Sequence, residues 1–196
     1  MRIKLLGLLC GITAISMGQT SPFSIEASYP LPVDSNFFGE HYKGVADLGL
    51  KYRIKNLQIV TIGVAVNGSL FQSSDSGYFP AYDEILHFKT SLYIIQPKLF
   101  SELNLKKINK LHPSIGVGYS ALLYTTTFDS QSNVASNHTN QGGVIVCLGA
   151  SYDILSKVYL FTSFDYGKLT QLEAGIPKSN YNTQTSLLKF GFGVRL

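Results

Sequence analysis

Apolar and polar positions alternate with a period of two along most of this chain, and no stretch carries the three-to-four spacing of an amphipathic helix. Eight alternating segments can be read. In 23–31, Phe23, Ile25, Ala27, Tyr29 and Leu31 share one face, with Ser24, Glu26 and Ser28 on the other. In 44–54, Ala46, Leu48, Leu50, Tyr52 and Ile54 oppose Asp47, Gly49, Lys51 and Arg53. In 58–71, Val60, Ile62, Val64 and Val66 oppose Thr61, Gly63, Ala65 and Asn67. In 85–100 the reading sets Leu86, Phe88, Leu92 and Ile94 against His87, Lys89, Ser91 and Tyr93. In 112–125, Ile115, Val117, Tyr119, Ala121 and Leu123 alternate with Ser114, Gly116, Gly118 and Ser120. In 142–154, Val144, Val146, Leu148, Ala150 and Tyr152 alternate with Gly143, Cys147, Gly149, Ser151 and Asp153. In 157–168, Val158, Leu160, Thr162, Phe164 and Tyr166 oppose Tyr159, Phe161, Ser163, Asp165 and Gly167. The last, 184–196, sets Leu188, Phe190, Phe192, Val194 and Leu196 against Lys189, Gly191, Gly193 and Arg195.

Long connections rich in Ser, Asn, Asp, Gly and Pro alternate with short turns such as Lys55-Asn56-Leu57. Membrane barrels show this asymmetry, with short periplasmic turns and longer external loops. The connection 101–111 is long for a turn, which predicts that the fourth strand extends further and turns near Lys107 to Lys110. An even strand number brings both chain ends to the same side.

Alternation alone also fits a soluble barrel or a β-sandwich. The composition of the two faces decides between them. One face carries Leu, Val, Ile, Phe and Tyr without charge. The other mixes Gly, Ser and Thr with Glu26, Asp47, Lys51, Lys89, Asp165 and Lys189. Glycine on a water-facing strand weakens it and gains nothing. Inside an eight-stranded barrel, space only just admits side chains, so small residues beside a few paired charges fit. The expected fold is therefore all-β: an eight-stranded antiparallel up-and-down transmembrane β-barrel, apolar face outward. Its lumen is expected to hold those six charged residues as an ion-pair network. Outward aromatics at strand ends extend the pattern: Phe23, Tyr52 and Phe100 at one end, Tyr29, Phe88 and Tyr166 at the other. Bilayer interfaces select two such belts.

Composition sharpens this picture. Charged residues make up 14% of the chain, against roughly 25% in soluble domains. Mean hydropathy is nevertheless only +0.13, and no apolar run approaches the ~18 residues of a transmembrane helix. A barrel wall in lipid is where such a chain can place its apolar surface. The first residues belong to export rather than fold. Arg2 and Lys4 precede the apolar stretch Leu5 to Ile15, and Ser16 and Gly18 occupy the −3 and −1 positions of a cleavage site. Residues 1–18 are thus expected to be a signal peptide and 19–196 the barrel domain, beginning at Gln19. Leu9 before Cys10 is too bulky for a lipoprotein site. Losing Arg2 and Lys4 lowers the net charge from +4 to +2, and Lys106, Lys107 and Lys110 are too sparse for a nucleic-acid patch. Cys147 alone survives processing, so no internal disulfide is possible.

The signal peptide, the eight segments and the glycine-rich final strand from Leu188 to Leu196 resemble the small outer-membrane β-barrel proteins of the OmpA-barrel and OmpX type. The resemblance spans the whole mature chain and implies a place in the outer membrane of a Gram-negative bacterium. Its implied partners are outer-membrane lipids, the barrel-assembly machinery that reads the last strand, and an external ligand or surface met by the loops. In that family the last strand usually ends in an aromatic residue; here it ends in Leu196. No peptidoglycan-binding domain is expected after the barrel, so that family activity does not carry over.

Candidate chemistry is sparse. His112-Pro113-Ser114 places a histidine and a serine on one strand face, as base–nucleophile chemistry requires, and resembles the pair in outer-membrane lipid A deacylases. No acidic residue is an obvious orienter and Pro113 marks a strand start, so no catalytic residue is assigned. His87 and His138 are too scattered for a metal site, and no cofactor is expected. Cys147 reads as a small interior residue. The aromatic loop residues Phe37, Phe38, Tyr78, Phe79 and Tyr82 suit either an adhesive surface or loop self-packing. The expected function is a structural or loop-binding membrane barrel that is neither a general diffusion porin nor an enzyme. A small pore or transport accessory, and a lipid-modifying enzyme, are the alternatives.

Overall fold

A computed structural model describes residues 22–79, 84–105, 108–128, 137–172 and 175–196. The expected signal segment and its cleavage point lie outside the described residues. Eight strands form one closed antiparallel barrel, each paired with its sequence neighbour. They are β1 (Phe23–Pro32), β2 (Lys43–Asn56), β3 (Val60–Phe79), β4 (Glu84–Leu103), β5 (Leu111–Phe128), β6 (Asn137–Asp153), β7 (Val158–Gln171) and β8 (Gln184–Arg195). Closure runs through β1 and β8, in register from Ser24↔Arg195 to Pro32↔Leu187. Two short helices stand in the long connections, α1 (Phe37–His41) and α2 (Asn180–Thr183). Asn36 caps α1, its Oδ1 accepting from Gly39 N at 2.7 Å, which satisfies one of the orphan donors of the first turn.

The short turns lie at one end and the long loops at the other. At Leu57-Gln58, the Asn56 side chain accepts from Gln58 N at 3.1 Å and Gln58 takes φ 63°. Between β6 and β7, the Ile154 and Leu155 amides both donate to Val158 O at 3.0 Å. β4 runs to Leu103 and β5 starts at Leu111, so the fourth strand does extend into the 101–111 connection as expected. β3 through β6 also continue beyond their expected limits at the long-loop end, because strand pairing there does not depend on a buried face. Phe79 and Glu84 are the last paired residues of β3 and β4.

The outward face is apolar all round the barrel: Ile25, Leu50, Val66, Ile95, Val117, Leu148, Leu160 and Phe192 are all exposed. Phe23, Tyr52, Tyr29 and Tyr166 are outward as expected, and the Phe23 and Tyr52 rings meet at 4.6 Å. The phase of β4 is reversed from the expected one. Leu92 and Ile94 are fully buried inside, Phe100 is buried and Phe88 half-buried, whereas Tyr93 is exposed and so are His87 and Lys89. Lys89 therefore does not enter the lumen. The physical reason is that the interior is apolar near the long loops. There Leu92 and Ile94 pack with Phe71, Leu122, Leu169 and Leu187, and Phe38 and Tyr42 close over them from the β1–β2 connection. An inward apolar residue in that layer is indistinguishable by pattern from a wall residue.

Candidate functional site: the lumen charge network

Below the apolar layer, inward positions turn polar and carry two charge clusters. The first is centred on Lys189, which is 1% exposed. Its ammonium donates to Asp47 Oδ2 at 2.9 Å and to Gln96 Oε1 at 2.9 Å, and lies 3.3 Å from Asp165 Oδ2. Asp47 also accepts from Ser28 Oγ and from Asn67 Nδ2 at 3.0 Å each, and from Ser69 Oγ. Lys98 reaches Asp165 Oδ2 at 3.3 Å. Two acids and two lysines make this cluster neutral.

The second cluster lies closer to the short turns. Lys51 meets Glu26 Oε1 at 2.8 Å and Glu102 Oε1 at 3.7 Å. Arg53 donates through Nε to Glu102 Oε2 at 3.0 Å and through Nη1 to Ser24 Oγ at 2.6 Å. The Lys51 ammonium also sits 5.4 Å from the centre of the Phe100 ring and 5.8 Å from that of Phe161, within cation–π range. This cluster too balances two acids against two bases. At the mouth beyond it, Asp153 accepts from Arg195 Nη2 at 2.7 Å and lies 3.1 Å from His112 Nε2.

Glycines let the aromatic members lie flat. Tyr159 on β7 stands directly across from Gly193 on β8, and a Cβ at Gly193 would meet the ring at 2.2 Å. With no Cβ there, the ring covers the glycine and its hydroxyl donates to Glu26 Oε1 at 2.9 Å. Phe100 covers Gly63 in the same way across β3 and β4, where a Cβ would meet the ring at 2.5 Å. An aromatic ring laid over a cross-strand glycine restores the packing the glycine lacks.

Of the six residues expected in the network, Glu26, Asp47, Lys51, Asp165 and Lys189 come together, and Lys89 is on the outer surface. Lys98 and Glu102 were missed. The signal for them was available: Thr90, Gln96, Lys98 and Glu102 alternate in one phase of β4, opposite to the one expected.

The remaining chemistry stays apart. An acidic partner for His112 does exist in Asp153, correcting the expectation that none was near. Ser114, however, lines a small cavity of about 50 Å³ together with Glu26, Lys51, Lys98 and Asp165. His112 instead lines the open mouth at the short-turn end, a cavity of about 400 Å³. Among the described residues no hydrogen bond joins His112 to Ser114; the imidazole is engaged by Asp153 instead. Among the described residues no group of three or more metal-ligating side chains occurs, and Cys147 is buried. At the long-loop end, Phe37 packs edge-on against Tyr181 at 6.3 Å. The Tyr181 hydroxyl donates to Glu40 Oε2 at 2.8 Å, and that carboxylate raises the phenol above the usual tyrosine range. Phe37 and Tyr181 remain exposed, while Phe38 belongs to the apolar layer. Tyr78 and Phe79 end β3, and Tyr82 lies outside the described residues.

No family model and no curated protein matches this sequence. Solved structures do match the fold. Neisserial surface protein A is 18% identical with a TM-score of 0.57, the match covering 91% of this chain and 100% of that one. Ail, the attachment invasion locus protein of Yersinia pestis, is 12% identical with a TM-score of 0.52 over 89% of this chain and 96% of its own. The outer membrane protein OprG of Pseudomonas aeruginosa is 13% identical with a TM-score of 0.52, over 90% and 97%. The fold is that of the small eight-stranded outer-membrane barrels.

Proposed function

We propose that this chain is an outer-membrane barrel of a Gram-negative bacterium, closed to diffusion, which acts structurally or by binding through its long loops. Residues 1–18 direct export, the wall is solvated by lipid, and the barrel-assembly machinery inserts it by way of β8. The observation that carries the reading is the filled interior. Two neutral ion-pair clusters occupy the middle of the lumen, and an apolar layer of Phe71, Leu92, Ile94, Leu122 and Leu187 seals the long-loop end. Eight-stranded barrels have just enough interior to be filled by side chains.

With the interior saturated, recognition falls to the long loops, where Phe37, Tyr181 and Glu40 are exposed. Ail from Yersinia pestis, which shares this fold at a TM-score of 0.54, has been solved with the heparin analogue sucrose octasulfate, and an external ligand, met here through the long loops, suits this chain. The engagement of His112 by Asp153 rather than by Ser114 supports a non-enzymatic role.

Fractionation and planar-bilayer recording test the proposal together. The mature protein is expected in outer membranes, starting at Gln19, with gel mobility that changes on boiling and no steady conductance. Soluble periplasmic recovery without heat-modifiable mobility refutes the membrane assignment. Steady nanosiemens-scale channels refute the closed lumen and favour a small pore. Altered lipid A that reverts in Ser114→Ala favours an enzyme.

A further inference from the structure

All three short turns share an unusual composition. The β2–β3 turn exposes Leu57 and Ile59, the β4–β5 turn exposes Ile108, and the β6–β7 turn exposes Ile154 and Leu155. Tight turns ordinarily favour Gly, Pro, Asn, Asp and Ser. Each of these turns also carries lysine: Lys55 and Lys110, both exposed, and Lys157. Residues 55–59, 104–110 and 154–157 contain no aspartate or glutamate, and Lys106 and Lys107 add to the cationic count in sequence. The nearest acids, Glu102 and Asp153, point inward and are paired with Arg53, Lys51, Arg195 and His112. At the opposite end, by contrast, both signs are exposed: Asp34, Glu40 and Asp75 stand with Lys43, Lys89, Lys168 and Lys178. The turn apolars continue the wall directly, since Ile54 and Leu103 at the strand ends are exposed on the same surface.

Branched aliphatics beside lysine, continuous with a lipid-facing wall, suit the boundary of a bilayer whose surface is negative. The aliphatic groups enter the acyl region and the lysine stems let the ammonium groups reach the headgroups. Building on the membrane-barrel reading, we infer that the short-turn end binds an anionic phospholipid leaflet, phosphatidylglycerol-type headgroups being the partner. The repetition in three turns, separate in sequence, is what carries this beyond ordinary turn variation. It also makes the barrel polar along its axis, with the cationic turns held at the phospholipid leaflet and the mixed-charge loops turned away.

The test refolds the chain without its signal segment into phosphatidylcholine vesicles, with and without phosphatidylglycerol, and measures the folding equilibrium by urea titration. A basic residue near an anionic surface contributes roughly fivefold, so the three lysines are expected to shift the equilibrium about a hundredfold at low salt. High salt should remove most of that shift. The variant Lys55→Gln/Lys110→Gln/Lys157→Gln should fold normally in phosphatidylcholine and lose most of the phosphatidylglycerol shift, Lys106 and Lys107 keeping the remainder. The matched loop-end variant Lys43→Gln/Lys89→Gln/Lys168→Gln should keep it. A shift absent from the wild type, retained by the turn variant, or lost equally by both variants overturns the inference. Failure to insert into either vesicle instead refutes the membrane reading beneath it.

Discussion

Replacing Lys189 with methionine tests the lumen network at its most buried point. The ammonium lies 2.9 Å from Asp47 Oδ2 and 3.3 Å from Asp165 Oδ2. Methionine is flexible and of similar length, so it fills much of the same space and the change is mainly electrostatic. The two acids are affected unequally. Asp165 keeps Lys98 at 3.3 Å, whereas Asp47 keeps only the neutral donors Ser28, Asn67 and Ser69. Removing one partner of a buried pair costs about 3–5 kcal/mol. The remaining donors on Asp47 and the retained Lys98 place the loss near the lower bound, about 3 kcal/mol. Asp47→Asn alone should cost less, about 1–2 kcal/mol, because Lys189 keeps Asp165 and the Gln96 carbonyl at 2.9 Å. In the double variant no charge is stranded, so its loss should resemble that of Asp47→Asn and the coupling should reach about 2–3 kcal/mol. The chain contains no tryptophan, so unfolding in urea is read by circular dichroism and heat-modifiable gel mobility. A coupling below about 0.5 kcal/mol means the two side chains act independently, and it refutes the network.

Three further sets of substitutions test the assignment of faces and the glycine seat of Tyr159. Lys89→Met should change stability by less than about 0.5 kcal/mol, while the inward Lys98→Met should cost several times more; equal urea midpoints for the two restore the opposite phase for β4. Val64→Arg or Leu148→Arg should cost about 2–4 kcal/mol near the bilayer midplane, and Ala65→Ser far less; the same titration reversing that order turns the barrel inside out. Gly193→Ala should cost about 1–3 kcal/mol by pushing the Tyr159 ring off its seat, and a fully stable variant shows that the ring moves freely.

How much of this was legible in the sequence depends on what each layer of the barrel asks of its residues. Through the middle of the wall, lipid outside and a polar lumen inside impose opposite demands on successive side chains. There Leu48-Gly49-Leu50-Lys51-Tyr52 and Phe190-Gly191-Phe192-Gly193 announce their faces. Near the long loops the two demands converge, because the lumen is apolar as well. Tyr93-Ile94-Ile95 then carries no phase information, and β4 was read out of register with its own polar positions further along. Pairing within the lumen was illegible for another reason. Glu26 bonds Lys51 on the adjacent strand, but Lys189 on β8 reaches Asp47 on β2 past the intervening β1. That partnership depends on barrel curvature, which local pattern does not encode. The His112–Asp153 contact, by contrast, joins neighbouring strands β5 and β6, as Glu26–Lys51 joins β1 and β2.

The vertical arrangement of the interior bears on what this barrel can do. Polar network and apolar layer lie in series along the same axis, and on the closed-barrel proposal each blocks ions by a different means. The clusters leave no net charge in the lumen to attract a permeant ion, and they fill its cross-section with side chains fixed by mutual hydrogen bonds. The layer above offers Phe71, Leu92, Leu122 and Leu187, with nothing to replace a hydration shell. Loosening one barrier leaves the other in place, so a rearrangement of ion pairs alone does not make a conduit. Opening the barrel needs α1 and Tyr42 to leave the mouth as well, and Phe38 meets Phe71 edge-on at 4.9 Å and Tyr42 at 5.6 Å. Those contacts tie the first long connection to the wall. They hold Phe37, on the opposite side of the same short helix, out toward solvent beside Tyr181. The sealed interior and the presented loop surface are therefore built from one segment of chain, which is why closure of the lumen and recognition at the loops belong to a single reading.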